Sequence, residues 1–596
     1  MDLGLSWSDW NAFYFGGIAM YDLIIRNGTI VDGTGTDART GDVAVKDGKI
    51  VAVGGAIEGE ATEVVDAEGM LVTPGFVDIH THYDGQATWD DVLDPSAGHG
   101  VTTVVAGNCG VGFAPVHPGQ EEWLIQLMEG VEDIPGTALA EGMSWNWESF
   151  PEYLDVLESR HFAIDIGTQI AHGAVRGYVM GERGAKNEPA TPEDIEAMAA
   201  IVKEAIEAGA MGFSTSRTLA HRAMDGEPVP GTYAAEDELF GIGRTLGEVG
   251  KGVFELAPAA IDGMDSNDPF DEIDWMRRLA AETKRPVSFA LLQLDPAPEL
   301  WRQLMDASLE AIEAGADLRP QVASRPFGLL TGLQTNHVFQ KRPTYMALAD
   351  LPLDELVVAL KDPATKAAIL SEADAPPDPD VLFDGIGAFL GMMIDKLYVM
   401  GAVPDYEPTH ETSIAGIAEA TGQDKFDLLY DRLLDDDGQS FLMLPLFNYS
   451  HGDHEAIREQ LLHPSAVLGL GDGGAHCGMI CDASLPTYSL THWARDRTRG
   501  EKLPLEWLIK KQTKDTAELY GMTDRGTLEV GMRADLNVID HEALTLHSPR
   551  LVRDLPAGGR RLIQEADGYV LTVVNGVVTR RDGVDTGARP GRLVRS

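Results

Sequence analysis

Cysteine is scarce: the 596-residue chain has three. That is too few for a disulfide framework and fits a reducing compartment, so the chain reads as cytoplasmic. Positive charge is scarce as well. Lysine and arginine number 46 against 95 aspartates and glutamates, for a formal net charge of −49. So acidic a chain repels phosphate backbones, which excludes nucleic acid and anionic membrane surfaces as partners. It also leaves an anionic substrate dependent on local positive charge. No run approaches the roughly 20 apolar residues that span a bilayer, so no membrane span is expected. Internal repeats and low-complexity tracts are lacking too. What remains, 44% hydrophobic and 24% charged, is the composition of a folded globular protein. Residues 1–19 carry Trp7, Trp10, Phe13, Tyr14 and Phe15 without a lysine or arginine. Lacking a basic n-region, they do not read as a secretory signal and are taken as an N-terminal extension.

Both ends of the remaining chain read as strands. "YDLIIRNGTIVDG" and "GDVAVKDGKIVAVG" show apolar runs with turn signals at Asn27-Gly28 and Asp47-Gly48, and "GYVLTVVNGVVTRRDG" repeats the style at Asn575-Gly576. A small β-sandwich assembled from 20–74 and 522–596 is expected. Between them, short apolar runs at 75–80, 101–107, 163–171, 210–215, 252–257, 286–292, 316–322 and 466–471 alternate with helical patterns such as 192–208 and 272–283. That alternation is the mark of parallel βα units. The fold class is therefore α/β, a (β/α)8 TIM-like barrel over 75–521. An insertion, 323–465, is too long for a plain loop and is expected over the barrel mouth. Its apolar segments, such as "LPLDELVVAL" and "FLMLPLFNY", would make an apolar lid.

The strongest chemical signal is "TPGFVDIHTHYDG". An apolar strand ends in His80-Thr81-His82, and alternate residues of a strand face one way, so both imidazoles point to the same side. At the C-terminal end of a first barrel strand they stand where active sites of that fold lie, and neutral imidazoles suit zinc and similar ions.

With "PGFVDIHTH" opening a barrel and "RGTLEVGMRADLNVID" closing it, the chain resembles the amidohydrolase superfamily, and most closely its N-acyl-D-amino-acid deacylases, the D-aminoacylases. "GVTTVVAGNCGVGFAP", "IAHGAVRG" and "EAGAMGFSTS" resemble that family's second, third and fourth strand motifs. The resemblance covers about residues 20–580 and weakens across 286–465. It implies that Cys109, closing strand two, takes the place of the carboxylated lysine that bridges two metals elsewhere in the superfamily. It also implies that Asp472, after "SAVLGLGDGG", is the strand-eight aspartate. A thiolate is a soft ligand, and a carboxylate beside an activated water can take its proton and pass it on. His172 and Arg176 of "IAHGAVRG" and Arg217 and His221 of "STSRTLAH" complete the candidates. His172 is offered for the substrate carbonyl, and Arg176, Arg217 and His221 as substrate contacts, with Arg217 able to fork onto a carboxylate. "HCGMIC" brings His476, Cys477 and Cys481 close in sequence and is read as loop and helix packing.

The departures matter as much. Where the resembled family has a metal-binding histidine, "RPVSFALLQ" has Ala290 and Leu291, and "VFELAP" keeps only Glu255. A second metal position therefore reads as dismantled, which leaves one divalent ion per chain, zinc before manganese, on His80, His82, Cys109 and Asp472. The resemblance implies hydrolysis of the amide bond of N-acyl amino acids or related N-acyl amides, with Asp472 as general base and then acid. Two alternatives stand beside it: a hydrolase of cyclic amides or a deaminase, and a metal-free binding protein on the same fold. The partner is a small-molecule N-acyl amide. A homo-oligomer is allowed by the sequence and not required by it.

Overall fold

A computed structural model describes residues 20–259, 268–378 and 384–596. The N-terminal extension expected at 1–19, and part of the proline- and acid-rich stretch 371–385, lie outside the described residues.

The two ends of the chain meet in one nine-stranded sheet. Leu536–Ile539 pairs antiparallel with Leu71–Pro74, Val538 opposite Val72, and so joins the C-terminal strands to the N-terminal ones. Leu23, Ile25, Val43, Leu536, Leu571 and Val573 form the core of this layer. One sequence expectation changes here. Asn27-Gly28 is no hairpin turn, because Met20–Ile30 runs through it as a single strand with a register shift between Ile25 and Gly28. The cause is packing on the next strand: a Cβ at Gly28 would lie 2.3 Å from a Val72 methyl. Asn27, at φ 59°, carries the bulge. Asp47 and Asn575 do turn, at φ 51° and 50°.

The middle of the chain carries parallel strands at each expected run: Phe76–Asp78, Val101–Ala106, Asp165–Thr168 continued by Ile170–Ala171, Gly212–Ser216, Val253–Ala257, Val287–Ala290, Leu318–Val322 and Val467–Leu468. Each pairs in parallel with the next. A parallel bridge between Thr81 and Gly473 brings the last beside the first. Helices separate them. Pro192–Ala208 starts on a capping box, Thr191 with Asp194, and on a proline in its first turn, and ends at Gly209 with φ 112°. The fold is thus mixed α/β. Among the described residues no helix is long and apolar enough to cross a membrane.

Between the seventh and eighth strands, Phe327–Gly332, Phe441–Phe447 and Tyr398–Val399 form a small antiparallel sheet. The apolar segments of the insertion divide between two cores. Leu356, Val357, Leu360, Leu390, Leu442 and Leu444 pack into a core of the insertion's own. Strand periodicity explains the division, since Phe441 and Met443, on the opposite face, join the main core. The insertion touches loops after the sixth and eighth strands, through the Gln293–Asn448 backbone and side-chain pair and through Leu330 N–H to Met479 O.

Candidate metal centre

His80 and His82 leave the first parallel strand buried, each about 1% exposed. Their Nε2 atoms converge on one oxygen: Asp472 Oδ1 lies 3.5 Å from that of His80 and 3.6 Å from that of His82. Cys109 Sγ is 3.4 Å from His80 Nε2, and potential ligand atoms of His80, His82 and Cys109 all lie within 4.8 Å of one another. The backbone makes this possible. Cys109 has φ 57° and Asp472 φ 47°, left-handed conformations that non-glycine residues adopt at a cost of order 1–3 kcal/mol. Gly110 beside Cys109 permits its turn, because a Cβ there would lie 2.6 Å from Ser216 N. Asp472 is fixed by its N–H to His80 O.

The other face of each imidazole is held as well. Gln321, on the seventh strand, places Oε1 2.9 Å from His80 Nδ1, which favours the tautomer that leaves Nε2 as a lone-pair donor. His82 Nδ1 lies 3.3 Å from Glu132 Oε1. Glu255 accepts the N–H of Cys109 at 3.1 Å. His476 Nε2 stands 3.5 Å from Glu132 Oε2.

Burial dominates the electrostatics. It pushes His80 down to about 4 and His82 to about 3, so both rings are neutral at physiological pH, as metal ligands must be. Burial also raises Glu255 to about 8, and with Asp472, Asp84 and Glu255 nearby it raises Glu132 well above the carboxylate range. Burial, reinforced by Glu132, Glu255 and Asp472, lifts the Cys109 thiol. Buried atoms without a hydrogen-bond partner cluster here: Asp78 Oδ2, His82 Nδ1, Glu132 Oε1 and Glu255 Oε1. Imidazole, thiol and carboxylate groups buried together with orphaned polar atoms fit a divalent cation, whose charge would offset the cost of burying them and the repulsion among the carboxylates. Among the described residues the ligand atoms gathered within 4.8 Å of one another here are those of His80, His82 and Cys109, with Asp472 Oδ1 beside the two Nε2 atoms. The cavity bordering Asp472, lined also by Ile480, Cys481, Asp482 and Arg561, measures about 20 Å³.

The remaining candidates lie elsewhere. His172 is fully buried, with Nδ1 2.8 Å from Thr215 Oγ1 and Nε2 2.9 Å from Glu238. Arg176 pairs with the same Glu238 and donates to Glu188 O. Both belong to a buried network centred on Glu238. Arg217 forks onto Glu272, Nε at 3.0 Å and Nη2 at 2.9 Å, and donates to Ala234 O. The carboxylate it grips belongs to the protein. His221 is half-buried, with Ser216 Oγ at 3.0 Å.

No sequence motif marks Glu132 or Gln321, and "HCGMIC" reads as packing although His476 stands against Glu132. Glu132 does carry a signal. It continues the buried stripe Leu124, Met128 of helix Glu121–Glu132 at four-residue spacing, and a carboxylate on an apolar stripe calls for a partner.

The amidohydrolase family model matches residues 63–580, and the chain belongs to that family, whose members hydrolyse carbon–nitrogen bonds. It is 26% identical to the D-aminoacylase of Alcaligenes xylosoxydans xylosoxydans, over 96% of this chain and 97% of that one. It shares its fold with a D-aminoacylase structure described for a binuclear metal centre with one-metal activation and second-metal attenuation, at TM-score 0.62 and 22% identity over 97% and 100% of the two chains. An N-acyl-D-glutamate deacylase from Bordetella bronchiseptica, complexed with zinc and a phosphonate mimic of the tetrahedral intermediate, superposes equally well, at TM-score 0.62 and 22% identity over the same shares.

Proposed function

We propose that the eight parallel strands close as a (β/α)8 barrel, with a β-domain from 20–74 and 522–596 and with 323–465 over its mouth. We propose further that the chain hydrolyses the amide bond of N-acyl amino acids or related N-acyl amides. The observation that carries this reading is the convergence of both Nε2 atoms on Asp472 Oδ1 beside Cys109 Sγ.

His80, His82, Cys109 and Asp472 would hold one divalent cation, zinc first. When bound, such an ion supplies Lewis acidity and brings the pKa of a coordinated water toward about 7. Strand six adds Ser288 and Ala290 and no ligand, which supports one ion rather than two.

Asp472 is assigned the proton work. Its Oδ1, 3.5 and 3.6 Å from the two Nε2 atoms, would accept the attacking water's proton, and the same carboxyl would return that proton to the amide nitrogen as the C–N bond breaks. This matters because an amide anion is a very poor leaving group. Neutral His80 and His82 keep their lone pairs for the cation and do not compete for that proton. We assign His221, half-exposed near the end of strand four, to the substrate, and give Arg176, Arg217 and His172 structural work. With those arginines engaged, neutral amides are expected to react alongside N-acyl amino acids. The test is a hydrolysis screen over N-acyl-D-amino acids, N-acyl-L-amino acids and neutral amides with amine detection. Release of amine in at least one class supports the reading, and no release from the metal-loaded enzyme contradicts it.

A further inference from the structure

We infer that Glu132 is the positioning residue of the metal centre: its carboxylate sets the ring of His82 and pins the strand-eight loop to it. The inference rests on the proposed cation site and adds a residue contributed by a helix rather than a strand end.

His82 Nδ1 and Glu132 Oε1 face each other at 3.3 Å, and neither atom has a hydrogen-bond partner elsewhere among the described residues. Both residues are about 1% exposed, so neither atom faces bulk solvent. Two orphans buried face to face are costly apart and satisfied together. In an unliganded site such a contact is commonly long and tightens on binding. A proton on Nδ1 shared with a carboxylate fixes the tautomer and aims Nε2 at the ion. Gln321 does the same for His80 with a neutral oxygen.

The second carboxylate oxygen reaches His476 Nε2 at 3.5 Å. The backbone repeats the contact. His476 N–H donates to Glu132 O, Cys477 N–H to Asp133 O at 3.2 Å, and Gly478 N–H to Asp133 Oδ2 at 2.8 Å. The end of helix Glu121–Glu132 thus clamps residues 476–478, four to six beyond Asp472, against His82. His476, at φ 49°, is held in a conformation that this clamp supports.

The experiment compares wild type with Glu132→Gln, Glu132→Asp and Glu132→Ala in the full chain. Zinc affinity is read by competition with a chromophoric chelator, and ligand geometry by the visible spectrum of the cobalt(II) form. Outer-shell partners of ligating histidines are worth about 10–100-fold in metal affinity. Glu132→Ala is expected to bind zinc that much more weakly with an altered cobalt spectrum. Glu132→Asp, too short to reach Nδ1, is expected to lose about tenfold. Glu132→Gln keeps an acceptor oxygen and is expected to stay within a few-fold of wild type. Zinc affinity of Glu132→Ala and Glu132→Asp within twofold of wild type, with an unchanged cobalt spectrum, would overturn the inference. So would a loss in Glu132→Gln as large as in Glu132→Ala, which would mean that charge rather than geometry acts. If Glu132→Ala fails to fold, the Gln and Asp variants decide by the same ordering. Failure of wild type itself to bind a cation would instead overturn the proposed function.

Discussion

Asp472 Oδ1 lies within 3.6 Å of both histidine Nε2 atoms, and the proposed mechanism asks this one carboxyl both to share in holding the cation and to move the proton. Asp472→Asn keeps the side chain's shape and one oxygen, so the fold and most metal binding should survive while turnover falls by about 10²-fold or more. Steady-state kinetics with metal analysis on the same preparation checks this, and near-normal turnover would remove Asp472 from proton transfer. Arg217 makes the opposite case. Its guanidinium satisfies the buried Glu272, so Arg217→Ala should lower thermal stability and reduce kcat/KM similarly for substrates with and without a carboxylate. A loss confined to carboxylate-bearing substrates would restore it as a substrate anchor. Single residues were legible where a strand end announced them. His80, His82, Cys109 and Asp472 each close an apolar run, and the period of two says which way the imidazoles face. Glu132 was not legible in that way, because its partner lies fifty residues away across a helix whose docking no local pattern specifies. Arg217 was legible as a cation but not as an engaged one, since Glu272 arrives from a helix beyond the next strand.

Two buried charge networks tie elements together. In the first, burial alone would raise Glu238, but hydrogen bonding and charge from His172 and Arg176 outweigh it and bring the group down to about 2. A carboxylate depressed in the fold contributes stability that is present above its unfolded value, near 4.5, and lost as pH falls toward 2. The contribution is of order 3 kcal/mol. Chemical denaturation between pH 3 and 6 should therefore show a shallower acid limb for Glu238→Gln than for wild type, and parallel curves would show that the pair does not act. In the second, Arg497 forks onto Glu407 at 3.0 and 3.1 Å, with His492 at 3.1 Å and His454 N–H at 2.9 Å on the same carboxylate. Glu407 belongs to the insertion and Arg497 follows the eighth strand, so the pair latches one to the other. Removing Arg497 leaves a buried carboxylate short of its counter-charge, at about 3–5 kcal/mol. Arg497→Met should show that loss in urea midpoint, and an unchanged midpoint would mean that the latch carries no net stability. The helices and parallel strands that support these networks were readable from periodicity. The insertion's inner core was not, because an apolar run does not say which neighbour it packs on: "LPLDELVVAL" turned inward to its own core.

At the scale of the whole molecule, a chain with net charge −49 gathers raised carboxylates, two neutral imidazoles and a thiol in one closed centre, a collection that is uncomfortable alone and settled by a cation. An ion that binds only the folded state stabilises it by about 4 kcal/mol at a thousand times its dissociation constant. The apo protein should therefore melt several degrees lower and recover with zinc. The measurement closest to the central claim joins metal content to amide cleavage: amine release from an N-acyl amide panel, followed in protein as purified, after chelation and during stepwise zinc return. The expected result is loss of activity on chelation and recovery that saturates near one zinc per chain. Full activity in the metal-free protein, or zinc bound at His80 and His82 with no amide hydrolysed, would contradict the account.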